Sequence, residues 1–243
     1  MEPLRAGTFA AWARAWLAGT AASDDVLAAV TGEDPPHEFA DAEGTIHPLG
    51  EALLVLRRAG NPVTLVLPVP GDLRGVPAPA DFRAAALDAG EALLAGTVAM
   101  VPEAIDYYPS SAPGTVRWRL FEIEPAPLDV LAVGDAQLEL TNAIRDAATA
   151  LTAADVAGGA DDIGDALRRA RHASEHITLP PAHPPRAVAL LAQAERLRAV
   201  LELATADVAG GAVDRFGMSA REAGLRPLAT AVRRACIAGY NAG

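Results

Sequence analysis

The sequence predicts an α+β protein: a small mixed α/β portion in the first half, then an all-α four-helix bundle. Three observations predict it. A β-branched apolar run, and one run of strict apolar–polar alternation, both fall before residue 127. Beyond that point, four long segments carry helical periodicity, at 129–154, 161–177, 185–207 and 219–239. Between the halves, at Pro125-Ala-Pro127, composition and pattern both change, so the domains are read as 1–127 and 128–243.

In the first half, residues 8–18 place Phe9, Trp12 and Trp16 on one helical stripe, most simply a core-packing face and otherwise a dimer face. Gly19 ends that helix, and Ser23 with Asp24 and Asp25 opens a short second one. Residues 32–47 are polar, contain Pro35-Pro36 and show no period, so they are read as loop. Leu49 to Arg58 is helical and closes at Gly60-Asn61-Pro62. Val63–Leu67 is the clearest strand, bounded by prolines. Asp81 caps a helix whose stripe takes in Phe82, Ala85, Ala86, Leu93 and Leu94, and Gly96 stops it. Thr97–Val101 is the next strand. Strand, helix and strand with tight connections predict a right-handed parallel βαβ unit. Thr115–Glu124 alternates Val116, Trp118 and Leu120 with polar residues, which marks a strand with one wet face.

In the second half, the third helical segment shows Leu190, Ala194, Leu197, Leu201 and Ala204 on one stripe. The fourth opens at Ser219 and Glu222, a capping box in which two side chains satisfy orphan amides, and Pro227 is expected to kink or restart it. Ala154-Asp-Val-Ala-Gly-Gly-Ala160 recurs 52 residues later as Ala206-Asp-Val-Ala-Gly-Gly-Ala212. That offset matches one helical hairpin and supports the bundle.

Composition removes whole classes of function. The 243 residues hold 20 basic side chains, all arginine, so neither a Schiff-base lysine nor a phosphate-loop lysine exists. Net charge is −11; residues 1–127 carry 17 acids against 8 arginines, and the remainder 14 against 12. Neither half offers the positive footprint that nucleic acid or an anionic membrane surface requires. No apolar run approaches the ~20 residues that span a bilayer. The N-terminus lacks the pattern of a signal peptide, so the expected location is cytoplasmic. The single Cys236 excludes an internal disulfide and a four-cysteine zinc site, and it reads as a small buried hydrophobe.

Three stretches carry candidate chemistry. His172-Ala-Ser-Glu175-His176 matches the pattern of inverted zinc peptidases, with His183, Glu195 and Glu202 as further ligands. Helical phasing puts His172 and His176 opposite the apolar stripe, facing water, so no metal is predicted. The loop 68–79 leaves the end of a strand, where Asp72 and Arg74 could meet a polar small molecule. A proline-stiffened turn at Pro70-Gly71-Asp72 explains it equally well. Tyr107 and Tyr108, in the loop 106–114, are recognition-type residues or a cover for the sheet edge. His37, Glu38 and Asp41 are read as surface. Nucleotide, serine-hydrolase and glycosidase patterns are all missing, and no cofactor is predicted.

Leu67-Pro-Val-Pro-Gly-Asp72 with Asp81 to Glu91, Leu140-Thr-Asn-Ala-Ile-Arg-Asp146, and Leu179 to Arg186 together resemble a group of conserved actinobacterial proteins of unknown function. The resemblance runs over most of the chain. It implies a high-GC, cytoplasmic origin and supplies no activity, cofactor or functional residue. The leading expectation is a non-enzymatic binding or scaffolding protein, self-associating or bound to a protein partner. The alternatives are a small-molecule enzyme at the 68–79 loop and, more weakly, a metal-dependent hydrolase on His172, Glu175 and His176.

Overall fold

Apolar residues in the first half alternate or cluster in short runs, and each run finds a partner in one six-stranded sheet. The computed structural model describes residues 4–32, 35–60, 62–105, 114–125, 127, 129–153, 177–206 and 215–243. Among them the elements are α1 (Arg5–Leu17), α2 (Ser23–Thr31), β1 (His37–Ala40), β2 (Ile46–Pro48), α3 (Gly50–Ala59), β3 (Thr64–Val66), α4 (Ala80–Ala89), β4 (Ala92–Ala95), β5 (Val98–Ile105), β6 (Thr115–Glu122), α5 (Val133–Ala153), α6 (Pro185–Ala206) and α7 (Arg215–Tyr240). The fold is α+β. The chain divides into a sheet unit, Leu4–Val130 with Thr178–His183, and a helical unit that among the described residues is built from α5, α6 and α7.

The sheet runs β2-β1-β6-β5-β4-β3. Only β1–β6 is parallel; every other neighbouring pair is antiparallel. Register assigns the faces. Leu65 pairs with Leu93, Leu93 with Met100, and Pro102 with Trp118, so these side chains share one face. Phe9 of α1 packs edge-on against Trp118, ring centroids 4.9 Å apart. On the opposite face Ala92, Leu94, Ala99, Val101 and Phe121 pack with Phe82 and Ala86 of α4. Further along that face the apolar cover gives way to ion pairs, Arg117–Glu38 at 2.6 Å and Arg119–Glu103 at 3.0 Å.

The alternating strand is borne out as β6. The parallel βαβ unit is not. The predicted helix from Asp81 stops at Gly90, whose φ of +73° is a left-handed cap that glycine adopts without strain. Leu93 and Leu94 therefore lie in β4, hairpinned to β5, and β3 lies antiparallel to β4. A four-residue apolar run carries no period, and the true stop lay six residues upstream of Gly96. Residues 32–47, expected as loop, contain β1 and most of β2, strands too short to alternate visibly. Asp81 sits in the first turn of α4 instead of capping it, and α2 is capped at Ala22, whose N–H donates to Asp25 at 3.2 Å.

In the helical unit α7 packs on both α5 and α6. Helix α6 opens on Pro185, a first-turn position where the missing N–H costs nothing. The expected stripe is partly present: Ala187, Leu190, Leu191, Ala194 and Ala199 are buried, and so is Glu195. Helix α7 begins at Arg215, so Ser219 and Glu222 lie inside it, not at its start, and it runs through Pro227. The second bundle segment and the repeat at 154–160 lie outside the described residues, as does most of 206–212.

Gly239 marks a close approach between α7 and α6. A Cβ there would stand 2.5 Å from Leu191 Cγ and 2.7 Å from Cδ2. Alanine would gain about 1 kcal/mol of helix propensity, but overpacking a close-packed site costs about 1–3 kcal/mol. Gly239→Ala is therefore expected to lower stability in a urea melt, and Leu191→Ala in the same chain to relieve part of the added strain.

Candidate functional site

The turn after β3 brings the predicted pair Asp72 and Arg74 together. Val69 and Asp72 exchange backbone hydrogen bonds (3.2 and 2.9 Å) around Pro70-Gly71, a tight turn. Arg74 then folds back on Asp72: its Nε donates to Oδ1 at 2.9 Å and its Nη2 to Oδ2 at 2.7 Å. Asp129 Oδ2 lies 3.8 Å from Arg74 Nε. The planar fork is thus engaged bidentately by a residue two positions away. Tyr107, Tyr108, His172, Glu175 and His176 lie outside the described residues.

The remaining sequence candidates have structural employment. Trp118 Nε1–H donates to His37 Nδ1 at 3.2 Å, and Arg117 Nε donates to Glu38. Phe9 is fully buried, Trp12 Nε1–H donates to the Thr178 carbonyl at 3.1 Å, and the Arg57 guanidinium covers the Trp16 ring at 4.1 Å. The aromatic stripe of α1 is core and near-core packing. His183 is buried, and its N–H donates to the Pro180 carbonyl at 2.9 Å.

Two buried carboxylates carry more than the sequence revealed. Glu91, which the sequence places inside the helix running from Asp81 to Gly96, follows the Gly90 turn just before β4. Its Oε1 accepts the Arg5 N–H at 3.2 Å and its Oε2 the Ala6 N–H at 2.8 Å. It therefore holds the first turn of α1, where a negative charge suits the helix dipole. Elsewhere in the same unit, Arg14 Nη1 donates to the Val63 carbonyl at 2.7 Å, and burial lowers the Arg14 pKa to about 10.

The second carboxylate is Glu195, 2% exposed in the middle of α6. Arg198 Nη2 lies 2.7 Å from its Oε2 and Nε donates to the same oxygen at 2.8 Å, while Nη1 reaches Glu202 at 3.3 Å. From α7 the Cys236 thiol makes a long contact, Sγ to Oε1 3.9 Å. Burial pushes the Glu195 carboxyl above its ordinary range, against the pull of Arg198. Burial opposes the charge on Arg198 too, yet Glu195's charge and hydrogen bonds outweigh it and raise the guanidinium's pKa. The thiol is pushed up strongly, first by burial and then by Glu195. Cys236 is thus a neutral, poorly nucleophilic thiol. A second ion pair, Arg234 Nη1 to Glu139 Oε1 at 2.7 Å, ties α7 to α5, and Gln137 Nε2 donates to Gln193 Oε1 at 3.1 Å between α5 and α6. A sequence signal for Glu195 existed: it interrupts the apolar face between Leu191 and Ala199. No group of three or more potential metal-ligating side chains comes together among the described residues.

These features define a two-unit α+β protein in which the described buried carboxylate Glu195 and the candidate Asp72 are both engaged by arginines of their own element or turn. The N-terminal domain of the Rv1486c-like protein family matches residues 6–131 and the C-terminal domain residues 134–237, so the chain belongs to that family. It is 29% identical to the uncharacterized proteins MT1533 and Rv1486c of Mycobacterium tuberculosis, over 95% of this chain and 94% of each relative. The uncharacterized protein ML1804 of Mycobacterium leprae is likewise 29% identical over 95% of this chain. Those names assign no activity. No solved structure matches the chain.

The buried cluster predicts an asymmetry between its members. Glu195→Gln keeps the shape and leaves Arg198 its contact with Glu202, whereas Arg198→Ala strands a buried carboxylate. Breaking such a pair from one side costs about 3–5 kcal/mol, so Arg198→Ala should be much the more destabilising in urea melts at pH 7. The raised Glu195 pKa also sets a sign. The folded state holds this proton longer than the unfolded one, so the contribution is full below the unfolded value of 4.5 and is lost as pH rises through the folded value. Glu195→Gln should remove that downward slope.

Proposed function

We propose that this protein is a cytoplasmic, non-enzymatic binding or scaffolding protein that associates with a second copy of itself or with another protein. The observation that carries this reading is the internal commitment of reactive groups among the described residues. Asp72 is engaged by Arg74, Glu195 by Arg198, and the one thiol is buried and neutral. A small-molecule site at Asp72 and Arg74 would first have to break their bidentate pair, so that reading is the weaker one.

Surface apolar residues favour association by helix faces. Leu138 on α5 is 62% exposed, and Val188 and Val200 on α6 are also exposed. Exposed apolar side chains mark an interface when a partner covers several of them at once. The net charge of −11 makes a protein partner a better fit than nucleic acid or an anionic membrane. No described helix is long and apolar enough to cross a membrane.

Native mass spectrometry with and without chelator tests the proposal. The expected result is a dimer or larger assembly, unchanged in mass by chelation, which Leu138→Asp shifts toward monomer by at least tenfold in dissociation constant. A monomer carrying a retained small molecule would replace the scaffold reading with the enzyme one.

A further inference from the structure

The hairpin β1–β2 carries a histidine whose two ring nitrogens both face carboxylates. His47 Nε2 lies 2.9 Å from Asp41 Oδ2, and Nδ1 lies 3.3 Å from Glu51 Oε2. Asp41 belongs to the turn that joins the two strands, and Glu51 to the first turn of α3. The imidazole therefore bridges two separate pieces of chain. Its side chain is 28% exposed, and the Phe39 ring stands 6.1 Å away.

A neutral imidazole has one N–H donor and one bare acceptor nitrogen. An ionised carboxylate only accepts. With both nitrogens against carboxylates, a neutral ring would set an acceptor lone pair against an acceptor oxygen on one side or the other. Both contacts are attractive only in the imidazolium. We propose that His47 is a proton-operated latch: in its doubly protonated form it fastens the β1–β2 hairpin to the start of α3, and loss of one proton releases one of the two contacts.

The turn itself is built to hold Asp41 in place. Its Oδ1 accepts the Glu43 N–H at 3.1 Å and the Thr45 N–H at 2.7 Å, and its own N–H donates to the Thr45 carbonyl at 3.1 Å. The second oxygen is thereby aimed at His47. Asp41 and Glu51 are the charged groups that face the ring, from the turn and from α3. The hydrogen bond to Asp41 raises the His47 pKa most, burial opposes it, and the charges of Glu51 and then Asp41 add to the rise. The same bond lowers the pKa of Asp41, with the turn amides adding to it against a burial contribution of opposite sign. For a raised histidine the stabilising contribution is full below the unfolded value of 6.5 and is lost as pH rises through the folded value.

NMR titration of the His47 ring in the full chain reads the latch directly, alongside hydrogen exchange of the β1–β2 amides corrected for the intrinsic pH dependence. The ring should titrate above the ordinary 6.5, and amide protection in the hairpin should fall across that same titration and not elsewhere. Asp41→Asn should lower the His47 pKa more than Glu51→Gln does, because the Asp41 bond is the shorter. Glu51→Gln leaves the turn intact, so it remains readable should Asp41→Asn unfold the hairpin. A ring that titrates at or below 6.5, or a pKa indifferent to Glu51→Gln, would overturn the proposal, as would hairpin protection that ignores the titration.

Discussion

Trp118 sits where three distant stretches of the sheet unit must agree. Its indole is fully buried, its ring meets Phe9 from α1, and its N–H reaches His37 at the start of β1. A buried indole N–H without an acceptor would cost about 1–3 kcal/mol, so β1 has to arrive with His37 alongside. That requirement coincides with the only parallel pairing in the sheet, in which His37 stands beside Val116 and Phe39 beside Trp118. An indole N–H can only donate, so His37 Nδ1 is the acceptor in this contact. One side chain thus joins the N-terminal helix and the first strand to the longest antiparallel pair.

The helical unit solves a different problem with different means. Its three described helices meet through small residues and through charges placed between them. Glu195 and Cys236 face each other across α6 and α7, and Arg234 reaches Glu139 across α7 and α5. A buried ion pair adds little net stability over an apolar pair of equal volume. What it adds is a penalty on other alignments, since any shift leaves a carboxylate stranded.

Elements with a sustained period were legible in the sequence. Helix α1, strand β6 and much of the α6 face follow from the spacing of Phe9, of Val116 and Trp118, and of Leu190 and Ala194. Where the period fails, so does the reading. Ala92-Leu93-Leu94-Ala95 is too short to show whether it turns every 100° or every 180°, and Gly90 was the decisive signal. His37–Ala40 and Ile46–Pro48 become strands because neighbours pair with them, which is tertiary information. Among the candidate site residues, Asp72 and Arg74 were visible as a pair because they are two positions apart, but not that they would satisfy each other. Glu91 and Arg5, or Glu139 and Arg234, are separated by 86 and 95 residues and leave no local trace. Buried charges such as Glu195 run against the rule that apolar faces are apolar, so pattern reading passes over them.

The two borders of the sheet are β2 and β3, three residues each, and prolines stand at both: Pro48 ends β2, while Pro62 and Pro68 flank β3. Proline offers no amide for a further ladder, and three residues give an incoming strand little to grip. The sheet is therefore blunted against edge-to-edge growth. In a chain with 51% apolar residues, an open β edge would otherwise template strand-by-strand stacking of copies.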